Sequence, residues 1–203
     1  MSVTKPSISS NGPAAALAFL DARRSVPARQ LGEPGPGDAT LLRMLQSASR
    51  VPDHGKRVPF RFLRIAGEAR HALGEALVVR ALERDPDAGD GAIEKDRTRF
   101  AHAPLVIVVV AVFDADDQKI PEQERLLSAG CACFALLQAA QASGFGATWL
   151  TGWPAYDPAI RSLLGLGAQE RVIGFIHIGT PKLESPERER PDAGALLSDW
   201  TSA

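Results

Sequence analysis

Apolar side chains recur along this chain with two periods, and the switches between them mark its elements. Met1 to Pro13 is rich in Ser, Pro, Gly and Asn without an apolar period and reads as a mobile N-terminal extension. From Ala14 to Arg24 the alanines with Leu17, Phe19 and Leu20 predict a helix, and the Gly and Pro cluster at residues 32–37 predicts a loop. Asp38 can cap a second helix whose Leu41, Leu42 and Leu45 share a face and which ends near Arg50, ahead of Pro52. Phe60 to Ala66 alternates as a strand does, Glu68 to Arg84 follows as a helix, residues 85–91 as a loop and Ile93 to His102 as a short helix.

Leu105 to Val112 is apolar on both faces, the pattern of a strand buried inside a sheet, so it is expected at the centre. Pro121 suits a first helical turn, Glu122 and Glu124 favour its positive end, and Gly144 suits the position past the last turn. The segment between them is apolar nearly all round and is expected to be the buried axis of the protein. A short strand at Ala147 to Leu150, a small helix from Asp157-Pro158 through Leu164 and a strand at Arg171 to Ile178 complete the series before Gly179-Thr180-Pro181. This order gives a mixed α/β (α+β) fold in one domain, residues 14–203. Gly144-Phe145-Gly146 follows a helix instead of opening one, which disfavours a Rossmann fold.

Composition narrows the classes. At 203 residues with 45% hydrophobic side chains, the chain can bury a sizeable core without disulfides or a structural metal. A net charge of -1 supplies no global field toward nucleic acid, and the longest apolar run, Leu105 to Phe113, is too short to span a bilayer. Cys131 and Cys133 point to different sides of one helix, so a mutual disulfide is disfavoured; both read as buried thiols in a reducing compartment, and the chain as cytoplasmic. No second group of His and Cys at ligand spacing suggests a metal.

Three clusters carry candidate chemistry. Arg23-Arg24-Ser25 closes the first predicted helix, where two guanidinium forks and a hydroxyl can grip a phosphate; arginines in a last helical turn can equally serve the helix dipole alone. Arg50-Val51-Pro52-Asp53-His54, followed by Lys56 and Arg57, is either a proline-fixed loop with solvated charges or the surround of an anionic ligand. In the segment from Gly144 to Trp153, Trp149-Leu150-Thr151-Gly152 reads as a core strand with a turn, or as a backbone stretch that a flat ring can approach closely.

Taken in this order, Arg-Arg-Ser, an Arg before a Pro-x-x-x-x-x-x-Pro-aromatic loop, Gly-Phe-Gly ahead of a Trp strand and then Gly-Thr-Pro closely resemble the nitroreductase family. The match runs from about Ala14 to Pro181 and is most similar to the compact, single-domain bacterial subgroup in which Pro-Asp-His stands where many relatives have Pro-Ser. The resemblance implies a central, mainly antiparallel sheet flanked by helices and a domain-swapped type of homodimer with FMN at the subunit interface. It further implies that Arg23, Arg24 and Ser25 bind the FMN phosphate and ribityl chain. Arg50, His54 and the Pro52-Asp53 backbone would reach the flavin of the other subunit, while Trp149, Leu150, Thr151 and Gly152 line the isoalloxazine, with a backbone N–H near Thr151 and Gly152 facing N5.

The implied activity is ping-pong transfer of hydride from NADH or NADPH through FMN to an electron-poor acceptor such as a nitro compound or quinone, with no protein nucleophile and no metal. Three departures mark this chain. Lys56 and Val58 stand where relatives often have Asn and Gln, and Leu150 replaces a cation. Arg190 before Pro191 could match a C-terminal arginine of the family, but Glu187-Arg188-Glu189-Arg190 also reads as a solvated charged stretch and stays outside the expected site. Rival readings are an unsaturated or halogenated acceptor, a flavin carrier or sensor without NAD(P)H turnover, and a cofactor-free structural dimer. No nucleic-acid or membrane partner is expected.

Overall fold

Every pairing in the sheet is antiparallel, and the strand at its middle is β5, Glu170–Pro181. The computed structural model describes residues 12–202; most of the expected N-terminal extension, residues 1–11, lies outside them. The helices are α1 (Gly12–Asp21), α2 (Asp38–Ala48), α3 (Glu68–Arg84), α4 (Asp90–Arg97), α5 (Glu122–Ala142), α6 (Pro158–Leu163) and α7 (Ala193–Leu196). The other strands are β1 (Leu31–Gly32), β2 (Phe60–Ala66), β3 (Leu105–Val112) and β4 (Gly146–Leu150). β3 lies between β5 and β2, as its two apolar faces require, while β4 lines the other side of β5.

The alternation in β3 divides the core into two layers. Leu105, Ile107, Val109 and Ala111 pack with α2 and α5, whereas Val106, Val108 and Val110 pack with Leu73 and Leu77 of α3. In α5 the inward positions are small or aliphatic, Ala129, Ala132, Cys133, Leu136 and Ala140, so the helix lies close against the sheet.

Several expectations need correction. α5 is not buried all round: Leu126, Leu127, Cys131 and Phe134 are exposed, so only Cys133 of the two thiols is sequestered, its pKa pushed up by burial to about 12. α1 starts at Gly12 and ends at Asp21, so Arg23 and Arg24 follow the helix. α4 ends at Arg97 because Phe100 must leave the helical path to fill the core, where it stacks on His177. β5 continues through Pro181 because Thr180 and Pro181 pair with Gly32 and Leu31, a two-residue strand too short to show a period.

Candidate functional site

The segment carrying the first cluster is laid along the sheet by one backbone hydrogen bond, Val26 N–H to Ala147 C=O at 3.1 Å. That bond lies on the outer side of β4, away from β5. Successive residues of a strand turn their backbone groups to opposite sides, so Trp149 and the Thr151 N–H also face the outer edge. Residues 23–26 therefore lead onto an edge that continues to Trp149, Leu150, Thr151 and Gly152, all exposed. From Ala147 to Thr151 the strand advances about 13 Å.

At one end of this edge the arginines converge. Arg23, Arg24 and Ser25 are half-buried; Arg23 and Arg24 line a cavity of about 480 Å³ with Leu20, Asp21, Glu187 and Arg190, and all three line a smaller one with Pro186, Arg188 and Arg190. Arg23 donates to Ser25 Oγ at 3.4 Å, and Arg190 Nη2 to the Arg23 carbonyl at 3.3 Å. Arg190, which sequence spacing left ambiguous, thus joins the cluster, together with Arg188. Neither shows a pattern along the chain, because more than 160 residues separate them from Arg23 and only folding brings them together.

At the other end, Trp149 is held by a bulge. Ile173 is the extra residue where the β3–β5 register shifts, and its carbonyl accepts the Trp149 indole N–H at 3.2 Å. The pyrrole side of the indole lies against Gly174: a Cβ there would stand 1.9 Å from the indole nitrogen. Gly152 has φ +105°, a backbone that only glycine adopts readily, and the turn behind it is fixed by buried Asp96, which accepts from Arg99 at 2.6 Å and from the Trp153 indole at 3.1 Å. His177, opposite Thr148 and fully buried, has neither ring nitrogen hydrogen-bonded among the described residues. Burial, and then the charges of His102 and Arg99, push its pKa down to about 4, so it stays neutral at physiological pH.

The second cluster lies elsewhere. The Pro52 carbonyl accepts from Ser128 at 2.7 Å, and His54 Nδ1 meets Glu124 at 2.6 Å, both near the N-terminal end of α5. Asp53 accepts from the backbone N–H groups of Arg57 at 3.0 Å and Val58 at 2.8 Å, which holds Lys56 and Val58 at positive φ. Arg57 is occupied by Asp117 at 2.7 Å, while Arg50 is exposed. The first cluster is instead near the C-terminal end of α5, where Gln141 donates to the Phe19 carbonyl at 2.8 Å. From Glu124 to Gln141 the helix spans about 25 Å. The loop also leads into β2, which β5 and β3 separate from β4 by about 14 Å. Within the chain the second cluster therefore does not meet the other two. Among the described residues no group of acidic, His and Cys side chains could hold a metal ion.

Comparison with known proteins identifies the family. The model of the Nitroreductase family matches residues 20–180, and the chain belongs to that family. It is 38% identical over 170 residues, 84% of its own length and 90% of the relative's, to an Escherichia coli protein described as "Putative NAD(P)H nitroreductase YdjA". Among solved structures, a nitroreductase-like family protein from Bacillus cereus aligns with a TM-score of 0.76 at 21% identity, covering 95% of this chain and 98% of that one. The FMN and NADPH-dependent nitroreductase NfnB from a Sphigopyxis strain aligns at 0.73 and 19% identity, covering 92% and 99%. These two likenesses establish the nitroreductase-like fold.

Proposed function

We propose that this chain is an NAD(P)H-dependent FMN oxidoreductase that delivers electrons to an electron-poor small molecule such as a nitro compound or a quinone, and that it works as a homodimer with the flavin between subunits. The observation that carries this reading is the shared edge. A cradle of guanidinium groups, Arg23, Arg24 and Arg190 with the Ser25 hydroxyl, opens beside a strand edge whose backbone groups, unpaired among the described residues, continue to Trp149 and Gly152. A doubly charged phosphate fits the first part, because arginines stay charged at any working pH and bind phosphate oxygens in pairs. A flat ring fits the second, where exposed Trp149 and Leu150 offer apolar surface and Thr151 N–H offers a donor.

When bound, FMN would supply the ring that accepts a hydride and passes reducing equivalents onward. The chain's own residues have complementary tasks. The arginine cradle anchors the phosphate, and the rigid Asp96–Arg99–Trp153 network fixes the direction of the Thr151 and Gly152 backbone. Arg50 and His54 of a second copy supply positive or donating groups, with Glu124 orienting the imidazole through Nδ1 while Nε2 makes no hydrogen bond among the described residues. The second copy has a surface to use: Leu127, Cys131 and Phe134 form an exposed stripe on α5, and α1 buries none of its residues.

A second reading, a flavin carrier without NAD(P)H turnover, draws on Leu150 and Val58, exposed aliphatic side chains that give the ring neither a cation nor an amide. A visible spectrum followed by anaerobic titration separates the two. The enzyme reading expects a yellow protein bleached by NADH or NADPH and reoxidised by a nitroaromatic. Bleaching by dithionite alone would favour the carrier, and a colourless protein that takes up no added FMN would remove both.

A further inference from the structure

The arginine cradle is already occupied by an anion of the chain's own. The Glu187 carboxylate pairs with Arg24 through one oxygen and accepts from Arg190 Nε at 3.0 Å through the other. It lines the same cavity as Arg23, Arg24 and Arg190, on the segment that follows β5 and carries Arg188 and Arg190. Arg23 and Arg188 make no ion pair among the described residues. Two guanidinium groups are thus held by a carboxylate, and those two are among the groups a phosphate would require.

We propose, resting on the FMN reading above, that Glu187 is an internal anion guard: it competes with the cofactor phosphate for Arg24 and Arg190 and is displaced when FMN binds. Its side chain is about half exposed, so its ion pairs are of the weak, solvent-screened kind and can be exchanged. A carboxylate tethered to the same chain acts at a high effective concentration, enough to keep stray monoanions out. A phosphate dianion brings more charge and a third oxygen, which can also reach Arg23 and Ser25. Arg24 and Arg190 then exchange one anion for another, and neither is left buried with an uncompensated charge. The guard lowers affinity for every ligand that enters the cradle and leaves untouched any ligand that does not.

The test is a fluorescence titration of flavin-free protein with FMN and, separately, with riboflavin, which lacks the phosphate. Glu187→Gln keeps the size and removes the charge; Glu189→Gln removes a nearby charge that makes no ion pair with the cradle. The expected result is FMN binding about tenfold tighter in Glu187→Gln, with riboflavin unchanged and Glu189→Gln like the parent. Weaker or equal FMN binding in Glu187→Gln would overturn the proposal, as would an equal gain in Glu189→Gln, which would make the effect one of net charge. If no variant binds FMN, the flavin reading fails by itself. The guard is then judged by inorganic phosphate: stronger thermal stabilisation of Glu187→Gln than of the parent supports it, and equal stabilisation overturns it.

Discussion

The Val26 amide donates to the Ala147 carbonyl at 3.1 Å, and this bond turns an arginine pair just beyond a helix into part of a strand edge. If the pair anchors a phosphate, Arg23→Ala with Arg24→Ala should lower FMN affinity by about 2 kcal/mol or more, roughly thirtyfold, because charge-assisted bidentate contacts are lost. Riboflavin affinity should stay the same. Calorimetric titration with both ligands checks this, and an equal loss for both would show that the arginines act on the fold.

Trp149 rests on Gly174, where its indole fills the space a side chain would need. Gly174→Ala places a methyl inside the present position of the indole, so the ring must swing away from the Ile173 carbonyl. The expected outcome is a shift in tryptophan emission and flavin binding weakened severalfold, since a half-exposed aromatic surface is lost from the edge. Unchanged emission with unchanged binding would place Trp149 outside the site.

The apolar stripe on α5 predicts the oligomeric state. Leu127 and Phe134 are 60% and 47% exposed in the single chain, on a helix whose other face is buried in the core. Leu127→Glu with Phe134→Glu should give a folded monomer in sedimentation experiments, because two carboxylates facing a copy of themselves repel and resist desolvation. The same variant should lose FMN, since Arg50 and His54 would no longer come from a second copy.

Acid stability should be governed first by His177. Its pKa falls from 6.5 in the unfolded chain to about 4 in the folded one, so between those values the unfolded chain binds the extra proton. The neutral histidine's contribution is therefore complete above pH 6.5, declines as pH falls, and is gone below about 4; the gap corresponds to about 3 kcal/mol. Glu170 acts in a lower window. The Arg61 hydrogen bond holds its carboxyl at about 2, well below 4.5, so its contribution is present above pH 4.5 and is lost as pH falls through 2. Denaturant midpoints measured from pH 7 to pH 3 should fall in the parent between 6.5 and 4. In His177→Phe that decline should largely vanish while the loss below 4.5 persists.

Legibility of these features in the sequence followed range. The ends of α5 were readable because Pro121 and Gly144 act on their own neighbours, and β3 was readable because a strand covered on both faces must be apolar throughout. Arg23, Arg24 and Ser25 also stood out as adjacent residues. What escaped was set at long range: the pairing that creates β1, the bulge at Ile173 that seats Trp149, and the return of Arg190 to Arg23. The exposure of Cys131 escaped for a related reason. Hydrophobicity shows that a surface wants cover, but not whether its own chain or a copy provides it.

The most direct measurement uses a heterodimer of two variants, Arg23→Ala with Arg24→Ala in one chain and Arg50→Ala with His54→Ala in the other. If each flavin takes its phosphate anchor from one protomer and its loop from the other, the heterodimer has one intact site and one site missing both. Titration should then give one FMN per dimer bound with parental affinity, while each homodimer binds two weakly. Two weakened sites and no site of parental affinity in the heterodimer would mean that both clusters serve the same subunit's cofactor, which would contradict the shared site.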